Sequence, residues 1–348
     1  MNRTAYLIRR LLLAIPTFLG ITLVCFALTR ILPGGPVEMK LQRLRGGGGG
    51  AEGGGGATAR LATITEQQRR ELNRQFGFDR PVAEQYWRWL VHDRMGLRLT
   101  SYDYPNKTAW ELIRARFPVS LWFGIAGFLL SYLLCIPLGI AKALRDGSTF
   151  DAATSLAVFA GYALPSFAVA MVLKTLLCGT VEGLWDVFPL GGFESAGAAA
   201  LPWGARWLDR ARHMVLPVSC YVAGDFAVLT LLMKNGLMDQ IAADYVRTVL
   251  AKGGSFRRAV WGHAFRNALV PIATGFGSIL TVLLAGSVII ERIFEIPGMG
   301  RLGLDCLLSH DYAVFMALLA VVSAVQLAGN LLSDFAYMLI DPRIHFDR

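Results

Sequence analysis

Polar and ionisable residues set inside apolar sequence are the first candidates for chemistry, because a charge in hydrocarbon is costly and persists where it pairs, conducts or binds. Asp225 stands in the run VAGDFAVL and Lys174 in AVAMVLKTLL, while Gln326, Asn330 and Asp334 recur four apart in one apolar stretch. Asp225 either pairs with another helix, through Lys174 for one, or meets a passing solute; the residues leave both open. Spacing of four puts Gln326, Asn330 and Asp334 in one helical row that faces other protein rather than lipid. Enzymatic chemistry has little to stand on. GxxxxGK[ST] does not occur, so no loop cradles phosphates; HExxH and GxSxG do not occur either. Gly275-Phe276-Gly277-Ser278 reads as a small-residue packing face of a membrane helix. The five cysteines (Cys25, Cys135, Cys178, Cys220, Cys306) have no CxxC or metal-ligand spacing and read as small packing residues.

The elements around these residues are membrane spans. The chain of 348 residues is 54% hydrophobic, with mean hydropathy +0.47, well above what a soluble domain needs. Its net charge of +9 sits in clusters beside apolar runs rather than on one aromatic-interleaved face, which fits membrane asymmetry and lipid headgroups and not nucleic acid. About 20 apolar residues cross roughly 30 Å of hydrocarbon, and six stretches qualify. They are Leu11 to Leu32, then about Phe117 to Ala141, Ala153 to Cys178, Met214 to Met233, Leu269 to Ile290 and Val314 to Ile340. The first is too long for a signal peptide and stays as an uncleaved helix. Arg3, Arg9 and Arg10 place its start in the cytoplasm. The loops 142–151 and 234–268 and the tail then fall on the same basic side, so both termini are cytoplasmic.

The expected fold is therefore all-α: a polytopic membrane protein of six helices with a helical extracytoplasmic insertion after the first. Residues 1–32 hold the first span and 33–116 the insertion. Residues 117–341 form a five-helix core that includes the loop 234–268, and 342–348 are the tail. Within the insertion Gly46 to Gly56 is a flexible low-complexity loop. Thr65 with Gln68 fits a capping box for a helix stopping at Gly77. A second helix, Val82 to His92, carries Tyr86, Trp87, Trp89 and Leu90 and suits a half-buried or interfacial site.

The polar stretch from Lys234 to Pro271 is the most informative. Leu237, Ile241, Tyr245 and Val249 lie four apart, and Met238, Ala242, Val246 and Leu250 form a second row beside them, which predicts one continuous amphipathic helix. Gly253-Gly254 ends it and Ser255 caps a second helix running towards Trp261. Lys252, Arg257, Arg258 and Arg266 cluster round the break. A short amphipathic helix with a basic end suits a groove on another protein.

The residue order resembles the integral membrane subunits of binding-protein-dependent ABC importers, in their dipeptide and oligopeptide branch, where the pattern reads DYIRTARAKGL and then HALRNALLP. Asp244, Tyr245, Val246, Arg247 and Thr248, then Ala251, Lys252 and Gly253, and later the run from His263 to Pro271 follow it. Val249 and Leu250 depart, replacing Ala and Arg and weakening the charge pattern of a docking helix. Pro33-Gly34-Gly35-Pro36 and the glycine-rich insertion are similar to YejB-like permeases. Phe76 to Pro81 and a late run with Gly286, Glu291, Phe294, Pro297, Gly298, Gly300, Leu302, Asp311 and Tyr312 extend the likeness over nearly the whole chain.

The resemblance implies a permease subunit of an oligopeptide importer in the bacterial cytoplasmic (inner) membrane. It implies a second homologous permease, cytoplasmic ABC ATPases that bind the ATP and Mg, and an extracytoplasmic solute-binding protein; this chain needs no cofactor of its own. Asp244, Tyr245, Val246, Arg247, Ala251, Lys252 and Gly253 would couple to the ATPase. Asp225, Lys174, Gln326, Asn330 and Asp334 would line the path or pair within the membrane, Asp225 taking a peptide amine in the first case. Metal chelates or sugars are alternative cargoes in the same branch. A proton-coupled secondary transporter working through Asp225 and Asp334 is the rival of another class, and it predicts internal repeats that the sequence lacks.

Overall fold

The computed structural model describes residues 3–31, 70, 79–104, 106–181, 184–274 and 287–340. Among them every regular element is a helix, and the only β contacts are isolated bridges from Thr100 to Thr108 and from Cys178 to Asp186. The chain divides into two compact units. One comprises 1–12, 116–301 and 325–348, the other 13–115 and 302–324.

The helices in chain order are α1 (Arg3–Ile31), α2 (Val82–Trp87), α3 (Ala109–Leu144), α4 (Thr149–Ala163), α5 (Ser166–Leu177) and α6 (Trp203–Ala242). Then come α7 (Asp244–Ala251), α8 (Phe256–Ala259), α9 (Phe265–Ala268), α10 (Val270–Thr274), α11 (Val288–Ile293), α12 (Met299–Leu308) and α13 (Tyr312–Ile340). Among the described residues, three stretches are long and apolar enough to cross a membrane: Ile8–Thr29, Ala109–Leu144 and Tyr312–Phe335. Two bent pairs, α4 with α5 and the two halves of α6, raise the number to five. The sequence span Leu269 to Ile290 falls largely on residues 275–286, outside the described residues, as does the expected Thr65 helix apart from Arg70.

Two spans differ in shape from the sequence expectation. The stretch from Ala153 to Cys178 is not one rod, because α4 and α5 meet at 92°. Leu164 is extended (φ −89°, ψ 124°) and Pro165 opens α5. A proline ring disfavours helical backbone at the residue before it, and Leu164 takes the extended form. The stretch from Met214 to Met233 is the middle of a far longer helix: α6 has 40 residues, about 60 Å at 1.5 Å per residue, and so outruns roughly 30 Å of hydrocarbon.

In the larger unit, one apolar cluster holds Phe123, Ala170, Leu216, Cys220, Ile290 and Phe294. A second holds Ile140, Met233, Leu237, Val246, Val260 and Ala264. Cys135, Cys178, Cys220 and Cys306 are buried, in keeping with a packing role. In the other unit, Trp89 packs with Phe26, Met316 and Ala320, and the Tyr86 and Thr22 hydroxyls bond at 2.8 Å. Helix α2 runs into a π-helical turn, Arg88–His92, with Trp89 inside and Trp87 62% exposed. The half-buried reading of 82–92 matches this division.

Candidate functional site

The polar stretch after α6 is built from two interruptions. The first was not legible in the apolar rows: Ala243 is extended (φ −70°, ψ 148°), so α6 stops at Ala242 and α7 begins afresh at Asp244. The expected single helix is therefore two. The acid at the first position of α7 meets the positive end of the helix dipole. The second interruption is the expected one. Gly253 has φ +80°, its N–H bonds to the Leu250 carbonyl at 2.9 Å, and the Gly254 N–H bonds to that of Val249 at 2.9 Å. These two bonds are the paired closure of a Schellman end. The first glycine supplies the left-handed backbone; a Cβ on the second would lie 2.7 Å from Val249 Cγ1 and 2.8 Å from its carbonyl oxygen. Ser255 then caps α8, its Oγ accepting from the Arg258 N–H at 3.3 Å.

Helix α7 has two clear faces. Val246 is 2% exposed and packs with Met233 and Leu237, while Tyr245 and Val249 lean on the same cluster. The Tyr245 hydroxyl donates to Gln240 Oε1 at 2.7 Å and ties α7 back to α6. Asp244, Arg247, Thr248, Ala251 and Lys252 are exposed. Leu250, placed by the sequence in the apolar stripe, is 41% exposed instead, in the last turn of α7. Asp244 and Arg247 lie 3.8 Å apart with side chains 97% and 78% exposed, a contact that holds neither in place. The outer face is thus a free, mixed-charge surface on a helix anchored from within. Beyond the break, Ser255, Arg257, Arg258 and Trp261 line a shallow open depression.

A row of residues behind this surface went unnoticed in the sequence. Val260, Ala264, Ala268 and Ile272 recur every four residues and all are buried, carried on α8, a π-helical turn (Val260–Ala264), α9 and α10. Small residues at that spacing let backbones approach, and a Cβ on Gly236 would come within 3.5 Å of the Ala268 carbonyl. The signal was present in HAFRNALVP as alanines four apart.

The remaining candidates are scattered. Lys174 donates to the Ile293 carbonyl at 2.6 Å and lies 3.4 Å from Glu295 Oε1. Asp225 belongs to α6, and its side chain is outside the described residues. Asp334 lies 3.2 Å from Arg10 Nε of α1, and Gln326 donates to Asn330 at 3.2 Å, so two of the three residues of the row on α13 bond to each other and the third reaches an arginine.

A different carboxylate is the more enclosed one. Glu291 is 1% exposed and accepts from Ser120 Oγ at 3.0 Å and the Arg301 N–H at 2.8 Å. Ser120 accepts in turn from the Met299 N–H at 2.7 Å. A Cβ on Gly298 would collide with the Glu291 carboxylate, and one on Gly300 would come 2.9 Å from the Val288 nitrogen. Two glycines therefore make the room. Burial pushes the carboxyl up to about 7 against its donors and the nearby Arg116.

Long apolar helices, bent spans and an inwardly anchored helix with a free polar face make up a multi-pass membrane protein. The chain belongs to the family of binding-protein-dependent transport system inner membrane components, whose sequence profile matches residues 135–346. It is 36% identical over 363 residues to the inner membrane ABC transporter permease protein YejB of Escherichia coli O157:H7, covering 99% of each chain. It is 37% identical over 366 residues, again 99% of each, to the peptidoglycan transport system permease protein YejB of Agrobacterium fabrum. With the oligopeptide transport system permease protein AppB of Bacillus subtilis it shares 32% over 342 residues, 98% of this chain and 99% of the relative. The chain is thus a permease subunit of the inner membrane.

Proposed function

We propose that this permease subunit belongs to an ABC importer that carries oligopeptides across the bacterial cytoplasmic membrane, ATP and Mg being bound by partner ATPases. The observation that carries the reading is α7: its inner face is locked by Val246 and Tyr245 while its outer face is free. Such a helix can take a push from outside and pass it inward. The peptide cargo is supported by the relatives, which include oligopeptide and dipeptide transport permeases.

In this reading six helices cross the membrane, both termini and the 234–268 loop are cytoplasmic, and residues 33–116 lie outside. A second homologous permease completes the pore, ATPases bind at Asp244 to Gly253, and a solute-binding protein delivers the peptide. Closure of the ATPases on ATP then drives the bundle between inward-facing and outward-facing states. Asp225, Lys174, Gln326, Asn330 and Asp334 serve the path or the packing around it.

The test is purification of the tagged chain in mild detergent, followed by ATPase assay with and without binding protein and peptide. Co-purification of an ATPase and a second permease, with turnover raised by peptide-loaded binding protein, is the expected result. A chain that purifies alone and moves solute in liposomes under a proton gradient would overturn it.

A further inference from the structure

Four charged side chains that the sequence treated only as loop charges form a closed network in the larger unit. Lys142, at the end of α3, is 0% exposed. Its ammonium donates to Ser155 Oγ at 2.7 Å, Thr154 Oγ1 at 2.9 Å and the Asp151 carbonyl at 3.0 Å. Asp151 Oδ1 lies 2.9 Å from the same nitrogen, an ion-pair contact off the hydrogen-bond axis. Asp151 stands in the first turn of α4, where Ser148 caps its N–H. Its other oxygen takes Lys234 of α6 at 2.7 Å, and Lys234 also holds Asp146 at 2.8 Å. Two ammoniums and two carboxylates balance, and three helices meet in them.

The network lies beside a close approach of α3 and α6. A Cβ on Gly139 would fall 2.6 Å from Met233 Cβ and 2.7 Å from the Thr230 carbonyl, one residue before Lys234 and three before Lys142. Ile140 and Ala143, either side of Lys142, belong to the apolar cluster that holds Met233, Leu237 and Val246. A displacement of α7 therefore reaches α3 and α6 through packed apolar side chains. Helix α4 contributes nothing to that cluster among the described residues. Helix α4 also packs along α6, and at this end its side-chain hydrogen bonds and ion pairs to α3 and α6 come from Asp151, Thr154 and Ser155.

We propose that Lys142, Asp151 and Lys234 are positioning residues for coupling: they form the joint that makes α4, and the bent α5 after it, follow the α3, α6 and α7 body. Directional, desolvated ion pairs suit that role, because losing one partner leaves a buried charge uncompensated, whereas apolar contacts slide.

The inference rests on the importer reading, and the experiment separates the two. The full transporter is assembled with wild-type chain, Asp151→Asn, Lys234→Met and Lys234→Arg, and peptide uptake per ATP hydrolysed is measured in proteoliposomes at equal assembled protein. Lys234→Met keeps the Lys142 contacts and is expected to assemble, hydrolyse ATP at the basal rate and lose roughly tenfold or more in uptake per ATP, since its charged contacts to Asp151 and Asp146 are both lost. Lys234→Arg, which restores the pair, is expected to recover most of it. Asp151→Asn, which weakens both pairs, is expected to lose at least as much. An unchanged ratio in Lys234→Met would overturn the joint while leaving the importer reading intact. Failure of Lys234→Met to assemble would also overturn it, since the network would then be a folding element. A wild-type chain that recruits no ATPase would instead remove the reading on which it rests.

Discussion

Two glycine pairs in the larger unit do opposite work. Gly253 and Gly254 end α7 at the surface, the first supplying a left-handed backbone and the second clearing Val249. Gly298 and Gly300 clear space inside, where the Glu291 carboxylate occupies what would be Cβ positions. The first pair shapes a face that is offered outward; the second encloses a carboxyl that is 1% exposed. Damage to the first should appear in transport and damage to the second in stability.

The sharpest test of that division is Gly298→Val. Branched carbon would be driven into the Glu291 carboxylate, and overpacking of this kind costs about 3 kcal/mol at its upper end. A lowered unfolding temperature in detergent and poor yield are expected, and a stable Gly298→Val protein would mean that the 297–301 turn can yield. Gly253→Pro comes next. Proline is fixed near φ −65° and has no N–H, so the φ of +80° and the bond to Leu250 are both lost. The cost is about 1–3 kcal/mol, confined to a surface turn. Membrane insertion is expected to survive while peptide uptake falls to background; wild-type uptake would sink the coupling role of this segment.

How far each region could be foreseen follows from the range of the forces involved. The Gly253-Gly254 stop and the Ser255 cap are encoded within four residues, and both were legible. The extended Ala243 was not, because alanine carries no local signal and the apolar rows run on through it; tertiary packing of Val246 and Leu237 sets the break. Pro165 announced a kink but not its size, which depends on how α4 and α5 pack. Glu291 stood out only as one residue of a resembling run. Its enclosure is set by Ser120, 171 positions away in sequence. The charges of the 142–151 loop read as membrane asymmetry for the same reason, since their partner Lys234 lies 83 positions from Asp151.

Glu291 gives a pH signature that the α7 surface cannot. Its carboxyl is raised from the usual 4.5 to about 7 by burial, so the folded protein holds the proton more tightly than the unfolded chain. That contribution to stability is full below the unfolded value and is lost as pH rises through the folded one. Wild-type stability, followed as the unfolding temperature, should therefore fall as pH rises from about 4.5 through about 7, by roughly 1–3 kcal/mol. Glu291→Gln, neutral throughout, should show a flatter curve over the same interval. Parallel curves would mean that the carboxyl is ionised at its donors across the whole range.

The smallest stability effect is expected at Arg247, and it is the one that isolates function from folding. Its side chain is 78% exposed and its neighbour Asp244 97% exposed, 3.8 Å apart, and exposed pairs of this kind contribute about 0–1 kcal/mol. Arg247→Glu should leave the unfolding temperature within a degree or two of wild type. It places a second negative charge on the outer face of α7, beside Asp244, without touching Val246 or the Tyr245 bond to Gln240. If that face meets the ATPase, ATPase recovery in the pull-down and uptake should both fall while the isolated chain stays folded. Unchanged recovery would place the contact elsewhere, with the depression lined by Arg257, Arg258 and Trp261 the next surface to reverse.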